Sequence, residues 1–151
     1  MPDQKTIERA HKDAQEGKSP STQAGEFVRA EIDRIRKGAH GARSTKQAIA
    51  IGLSEARRAG VKLPPPKKSS TSAQTRKKAA QDTKKGQHAG PSKASPKRSR
   101  ATVKALKKEP RSTVSKAALS KQAKDAAKRR GSGDLHRSAQ KAARTRQKKS
   151  G

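Results

Sequence analysis

Apolar residues between positions 22 and 63 recur at the three- and four-residue spacing of amphipathic helices. On a helical wheel, one side of segment 22–37 holds Ala24, Phe27, Val28, Ile32 and Ile35. Glu31 falls awkwardly within this apolar arc. One side of segment 45–59 holds Ile49, Gly52, Leu53, Ala56 and Ala59. The pattern predicts two helices that pack on each other through these faces, with the small residues allowing close approach.

Polar residues and prolines mark where these helices begin and end. Ser44 followed three positions later by Gln47 forms a capping box at the start of the second helix. Gly60 occupies the place of a left-handed C-terminal residue, and prolines 64–66 prevent continuation. A thin apolar stripe over 4–16 predicts a shorter helix that needs docking to be stable. We therefore expect a mainly α unit over 1–66, a helical hairpin or three short helices at about 4–16, 22–37 and 45–59.

The chain changes character after Pro66. Residues 67–151 contain 27 Lys/Arg and 4 Asp/Glu, against 13 and 8 in residues 1–66. Only 27% of the whole chain is hydrophobic, and its net charge is +28. Low hydrophobicity with high net charge is typical of disorder. We expect residues 67–151 to be a largely disordered basic tail, with nascent helices at about 100–108, 113–130 and 134–149.

No residue pattern indicates catalysis. The four histidines are far apart in sequence, cysteine is absent, and neither a phosphate-binding glycine loop nor a nucleophile elbow occurs. We therefore expect no enzymatic activity, catalytic residue, metal, cofactor or small-molecule substrate.

The N-terminus lacks the apolar core of a secretory signal, and no apolar run approaches membrane-spanning length. A cytoplasmic protein without a membrane partner is expected.

Clusters of Lys and Arg are the chemical signal that remains. Repeated cationic clusters bind polyanions by releasing the counterions condensed on phosphate. The candidate nucleic-acid-binding residues are Lys46, Arg57, Arg58, Lys67, Lys68, Arg76, Lys77, Lys78, Lys84, Lys85, Lys97, Arg98, Arg100, Lys107, Lys108, Lys128, Arg129, Arg130, Arg144, Arg146, Lys148 and Lys149.

Duplex DNA is the polyanion that this composition fits best. Single-strand binders and common RNA modules stack bases on aromatic side chains, whereas Phe27 is the sole Phe, Tyr or Trp and lies on a predicted core face. The sequence thus predicts a nucleoid-associated protein that neutralises and compacts DNA without sequence specificity. The alternatives are an RNA- or ribosome-associated protein and a stress-protective or partner-docking protein. Homodimerisation through the N-terminal hairpin is a further expectation.

Two resemblances accompany these residues. Ser95-Pro96-Lys97-Arg98, Ser115–Ala118 and Lys124–Lys128 resemble segments in the Lys/Ala/Pro-rich tails of linker histones and bacterial histone-like proteins. That resemblance implies a proline turn at Ser95–Arg98 that lays two cations along a minor groove. The segment Arg43–Arg58, RSTKQAIAIGLSEARR, is similar to a motif of an uncharacterised family of small basic bacterial proteins. It implies a bacterial source and no particular activity.

Overall fold

The computed structural model describes residues 2–68, 71–88 and 95–149. Within these ranges the chain forms seven α-helices and one 3-10 turn. They are α1 (Gln4–Gln15), α2 (Pro20–Arg36), α3 (Thr45–Arg58), α4 (Ala73–Gln87), α5 (Pro96–Lys107), the 3-10 turn (Ser112–Val114), α6 (Lys116–Arg130) and α7 (Ser132–Lys149). The chain divides into two units, Met1–Val114 and Ser115–Gly151.

Helices α1, α2 and α3 have ends within two residues of the segments predicted from periodicity. Ser44 caps the start of α3 as predicted, since the Gln47 N–H donates to Ser44 Oγ at 3.1 Å, but the Gln47 side chain accepts from the Arg43 N–H at 2.6 Å and so does not complete the capping box with Ser44. Gly60 has φ +94° and ends α3. The Val61 N–H then donates back to the Ala56 carbonyl at 3.0 Å. Ser44 and Gly60 therefore mark these helix ends as expected.

The core of the first unit lies along α2, which packs against both α1 and α3. One cluster surrounds Phe27, which is fully buried, and includes Ala10, Ala24, Ala56 and Val61. A second cluster consists of Ile35, Ala42, Ala48 and Val114. Alanines make up a large share of both clusters, so the helices are held at short range by small side chains.

Gly52 sets the distance between α2 and α3. A Cβ atom at this position would lie 2.7 Å from Val28 Cα and 2.9 Å from Val28 N. Real Cβ atoms do not approach backbone atoms so closely, and the neighbouring backbone of α2 cannot rotate away as a side chain would. The observed packing of α2 on α3 therefore requires glycine here.

The expectation of a hairpin followed by a largely disordered tail is wrong, because the described residues after Pro66 are mostly helical. Helix α4 was not expected, and α5, α6 and α7 are continuous where only nascent helices were expected. Few bulky apolar residues and strong charge repulsion had indicated disorder. The high helix propensity of the many alanines, together with docking of α4 through small and polar residues, outweighs these effects.

Helix α4 packs against α3 through a face with little bulk. Ala79 is 7% exposed, and Gly86 lies so close to α3 that a Cβ atom there would overlap the Arg57 carbonyl oxygen. Asp82 is also buried, and it accepts hydrogen bonds from Ser54 Oγ and from Arg58 Nε, the latter at 2.9 Å. A small-residue face with one ion pair thus replaces a hydrophobic stripe.

The last turn of α5 and the segment that follows it close over the junction between α2 and α3. The Gly41 N–H donates to the Leu106 carbonyl at 2.9 Å, and the Ala42 N–H donates to the Pro110 carbonyl at 3.1 Å. Val114 follows in the 3-10 turn and is fully buried. These contacts join residues more than 60 positions apart, so the first unit extends to Val114.

Replacing Gly52 by Leu should destabilise the first unit, because the new side chain forces α2 and α3 apart. Overpacking of this kind costs about 1–3 kcal/mol of unfolding free energy. Gly25→Ala on α2 is the matched control, since nothing lies within 4 Å of its Cβ position. That control should gain about 0.5–1 kcal/mol from helix propensity. Urea denaturation followed by circular dichroism measures both, and equal stability of the two variants would contradict the assigned packing.

Replacing Asp82 by Asn should loosen α4 in a pH-dependent way. Burial alone would raise the pKa of Asp82, but the hydrogen bonds from Arg58 and Ser54 outweigh it and hold the pKa below its usual value. The carboxylate therefore stabilises the fold above the unfolded-state pKa of about 3.9, and this contribution disappears as pH falls through the folded-state pKa.

We expect Asp82→Asn to cost about 1–2 kcal/mol at pH 7, since a charged hydrogen bond is lost and Arg58 is half exposed. Denaturation curves recorded from pH 7 to pH 2 should show the two proteins converging at the acid end. Asp125→Asn, at an exposed position on α6, serves as the control. A stability difference that stays constant down to pH 2 would show that Asp82 does not act through its charge.

Candidate nucleic-acid interface

Arg34 links two glutamates within the first unit. Arg34 donates to both carboxylate oxygens of Glu55, at 3.0 and 2.8 Å. The same guanidinium lies 3.1 Å from fully buried Glu31, and His40 Nε2 lies 3.5 Å from the other Glu31 oxygen. Burial raises the pKa of Glu31, and the charges of His40 and Arg34 oppose that rise. The glutamate in the apolar arc is thus part of a buried polar cluster.

Two of the three site residues predicted on α3 also have structural contacts. Arg57 is only 9% exposed, and burial lowers the pKa of its guanidinium while Asp82 opposes the shift. Arg58 forms the ion pair with Asp82, although its side chain stays 51% exposed. Lys46 lies exposed near the start of α3. Periodicity did not reveal that Arg57 is buried, because Arg57 lies outside the predicted apolar face of this helix.

The predicted cations between residues 67 and 108 are mostly on the surface. Arg76 is half buried, and its Nε atom is buried without a hydrogen-bond partner. The others are exposed: Lys67, Lys68, Lys77, Lys78, Lys84, Lys85, Lys97, Arg98, Arg100, Lys107 and Lys108. Pro96 is the first residue of α5, so Lys97 and Arg98 lie in the first turn of that helix. The proline turn implied by the histone-tail resemblance is not what forms there.

Segment 67–114 contains two acidic residues. Both form ion pairs with arginines of residues 1–66. Asp82 pairs with Arg58, and Glu109 Oε1 lies 4.0 Å from Arg43 Nε. The same segment carries 15 Lys/Arg. Its two carboxylates therefore pair with arginines of residues 1–66, and lysines and arginines far outnumber acidic residues on α4 and α5.

The second unit contributes a surface with almost no counter-charge. It has 12 Lys/Arg and 2 Asp, a net of +10. None of its described residues is buried, and Leu135 is 38% exposed. The predicted cations whose side chains are described here are all exposed: Lys128, Arg129, Arg130, Arg144, Arg146 and Lys148. The side chain of the remaining predicted residue, Lys149, lies outside the described part.

The described residues show no arrangement that points to other chemistry. In 2–68, 71–88 and 95–149, no three His, Cys, Asp or Glu side chains are grouped closely enough to hold a metal ion. No helix in those ranges has the length and apolarity needed to cross a bilayer. What the arrangement offers is a set of exposed cations on helices, which can attract phosphate by charge.

Residues 3–68 match the model of a family of unknown function, DUF6496. The matched segment contains α1, α2 and α3, and includes the stretch Arg43–Arg58 on which the resemblance was based. Neither the curated proteins nor the solved structures contain a match to this chain. The expected similarity to an uncharacterised family is thereby confirmed for the N-terminal three helices.

Proposed function

We propose that this protein binds duplex DNA through its phosphate backbone, without sequence specificity, and neutralises and compacts it as a nucleoid-associated protein. The observation that carries this proposal is the second unit. Its 12 Lys/Arg face only 2 Asp, and none of its described residues is buried. These positive charges do not stabilise the folded helices, because they repel one another and have few acidic partners. They would contribute directly to the binding of a polyanion.

Counterion release supplies the affinity in this proposal. Each phosphate neutralised on duplex DNA adds about −0.9 to the slope of log affinity against log salt. Lys128, Arg129 and Arg130 are consecutive in the last turn of α6. Their charges repel one another but interact favourably with the negative end of the helix dipole. Bound phosphate would relieve the repulsion and stabilise the helix, so binding and helix formation would reinforce each other.

Duplex DNA is favoured over RNA and single strands by the lack of stacking surfaces. Phe27 is the sole aromatic residue of Phe, Tyr or Trp type, and it is 0% exposed. Modules that read single strands or RNA loops depend on such side chains. The compositional resemblance of the C-terminal segments to histone tails agrees with backbone binding. Homodimerisation through the N-terminal helices stays a prediction.

The test compares two sets of four substitutions that remove the same charge from different places. Lys128, Arg129, Arg130 and Arg144 change to Gln in one variant. Lys5, Lys12, Lys37 and Lys62, which are exposed in the first unit, change to Gln in the other. Binding of the full chain to a fluorescent duplex is measured across a salt series. We expect the first variant to lose about 3–4 units of salt slope and the second to lose much less.

Equal losses in the two variants would mean that net charge alone, and not the second unit, governs binding. Structured RNA and anionic vesicles serve as competitors in the same assay. If structured RNA bound more tightly than duplex DNA, RNA would be the partner in place of DNA. Failure of the unaltered chain to bind any nucleic acid at physiological salt would refute the proposed function and favour the partner-docking or protective alternative.

A further inference from the structure

Helix α4 is fixed on one side and open on the other. Among the described elements it packs only against α3. The docked side carries Ala79, Asp82 and Gly86, which recur at three- and four-residue spacing. Its opposite side therefore points away from the first unit at an orientation that the docking determines. A docked helix can present side chains to a ligand more precisely than an isolated helix can.

The outward side of α4 has a regular composition of four lysines and two glutamines. All six are exposed: Gln74, Lys77, Lys78, Gln81, Lys84 and Lys85. At 100° per residue, Lys77 and Lys84 form one row, and Lys78 and Lys85 form a second row about 100° away. Both glutamines fall on the strip between the two rows. Within each row the lysines are about 10.5 Å apart along the helix.

We propose that α4 lies in the major groove of duplex DNA, with its lysine rows on the phosphates of the two strands and Gln74 and Gln81 toward the base edges. An α-helix about 10–12 Å in diameter fits a groove about 12 Å wide and 8.5 Å deep. A glutamine amide can hydrogen-bond to N6 and N7 of adenine. Phosphate contacts, which do not depend on sequence, thus dominate the binding, and the glutamines add to them only a modest preference for adenine. This inference rests on the proposed binding of duplex DNA.

The position of Asp82 makes this face suitable for DNA. Asp82 is the single acidic residue of α4, and it is turned inward onto Ser54 and Arg58. No carboxylate of α4 therefore opposes phosphate on the outward side. In α5, by contrast, Lys97, Arg100, Lys104, Lys107 and Lys108 fall within one arc of about 100°. A single stripe suits one strand of the backbone, whereas two rows flanking amides suit a groove.

The test uses the full chain and two duplexes of the same sequence, one in which 7-deazaadenine replaces every adenine. This base lacks the N7 acceptor in the major groove and keeps the minor groove unchanged. The unaltered protein should bind the modified duplex at least about fivefold more weakly, because the loss of a single bidentate contact already costs about that factor. The double variant Gln74→Ala, Gln81→Ala should bind the two duplexes equally. Gln87→Ala, on the same helix but about 120° from Gln81, should discriminate as the unaltered protein does.

A second variant tests the lysine rows. Changing Lys77, Lys78, Lys84 and Lys85 to Gln should lower the salt slope by about 3–4 units while circular dichroism shows unchanged helicity. Equal binding of both duplexes by the unaltered chain would refute the base-edge contact. An unchanged slope in the lysine variant would refute the groove placement. In either case, the proposed function is still supported if the chain binds DNA and the binding depends on the second unit. If the unaltered chain does not bind DNA, the proposed function itself is refuted.

Discussion

The close approach of α3 to α2 at Gly52 is the constraint on which the first unit depends. It brings Ala56 and Val61 against Phe27 and so completes the core that α1 also joins. It also fixes the short connection between α2 and α3, whose Gly41 and Ala42 amides hold the segment after α5. The outer side of α3 then becomes the surface on which α4 docks. The absence of a side chain at Gly52 thus allows the Phe27 core to form, the segment after α5 to attach and α4 to dock.

Carboxylates are few in this chain, and their placement links its fold to its proposed activity. Asp82 and Glu109 lie in a segment with 15 cations, yet both pair with arginines of the first 66 residues. The contacts that attach α4 and the segment after α5 therefore also direct the two carboxylates of this segment toward arginines of the first 66 residues. Docking and exposure of positive charge arise from the same two residues. A fold stabilised by larger numbers of surface ion pairs would have presented a more neutral surface.

The sequence predicted α1, α2 and α3 well because their apolar spacing and end signals agree with one another. It failed for α4, whose docked face of Ala79, Asp82 and Gly86 gives almost no hydrophobic signal. Val114 packs beside Ile35 from nearly 80 positions away, a pairing that local pattern cannot show. For the candidate site, the cationic residues were readable in the sequence, but their accessibility was not. Arg57 is buried on α3, the helix against which α4 packs, although its position on the helical wheel lies outside the predicted apolar face.

No residue of the second unit is buried within its described part, 115–148, and this affects how its sequence can vary. Where no side chain fits into a core, exchanging Lys for Arg or moving an alanine by one position costs little stability. Selection would then preserve charge density and helix propensity rather than the identity of any residue. Such a segment can diverge until ordinary comparison no longer detects ancestry, while its physical behaviour stays the same. The first three helices, restrained by Gly52 and Phe27, would keep a recognisable signature for much longer.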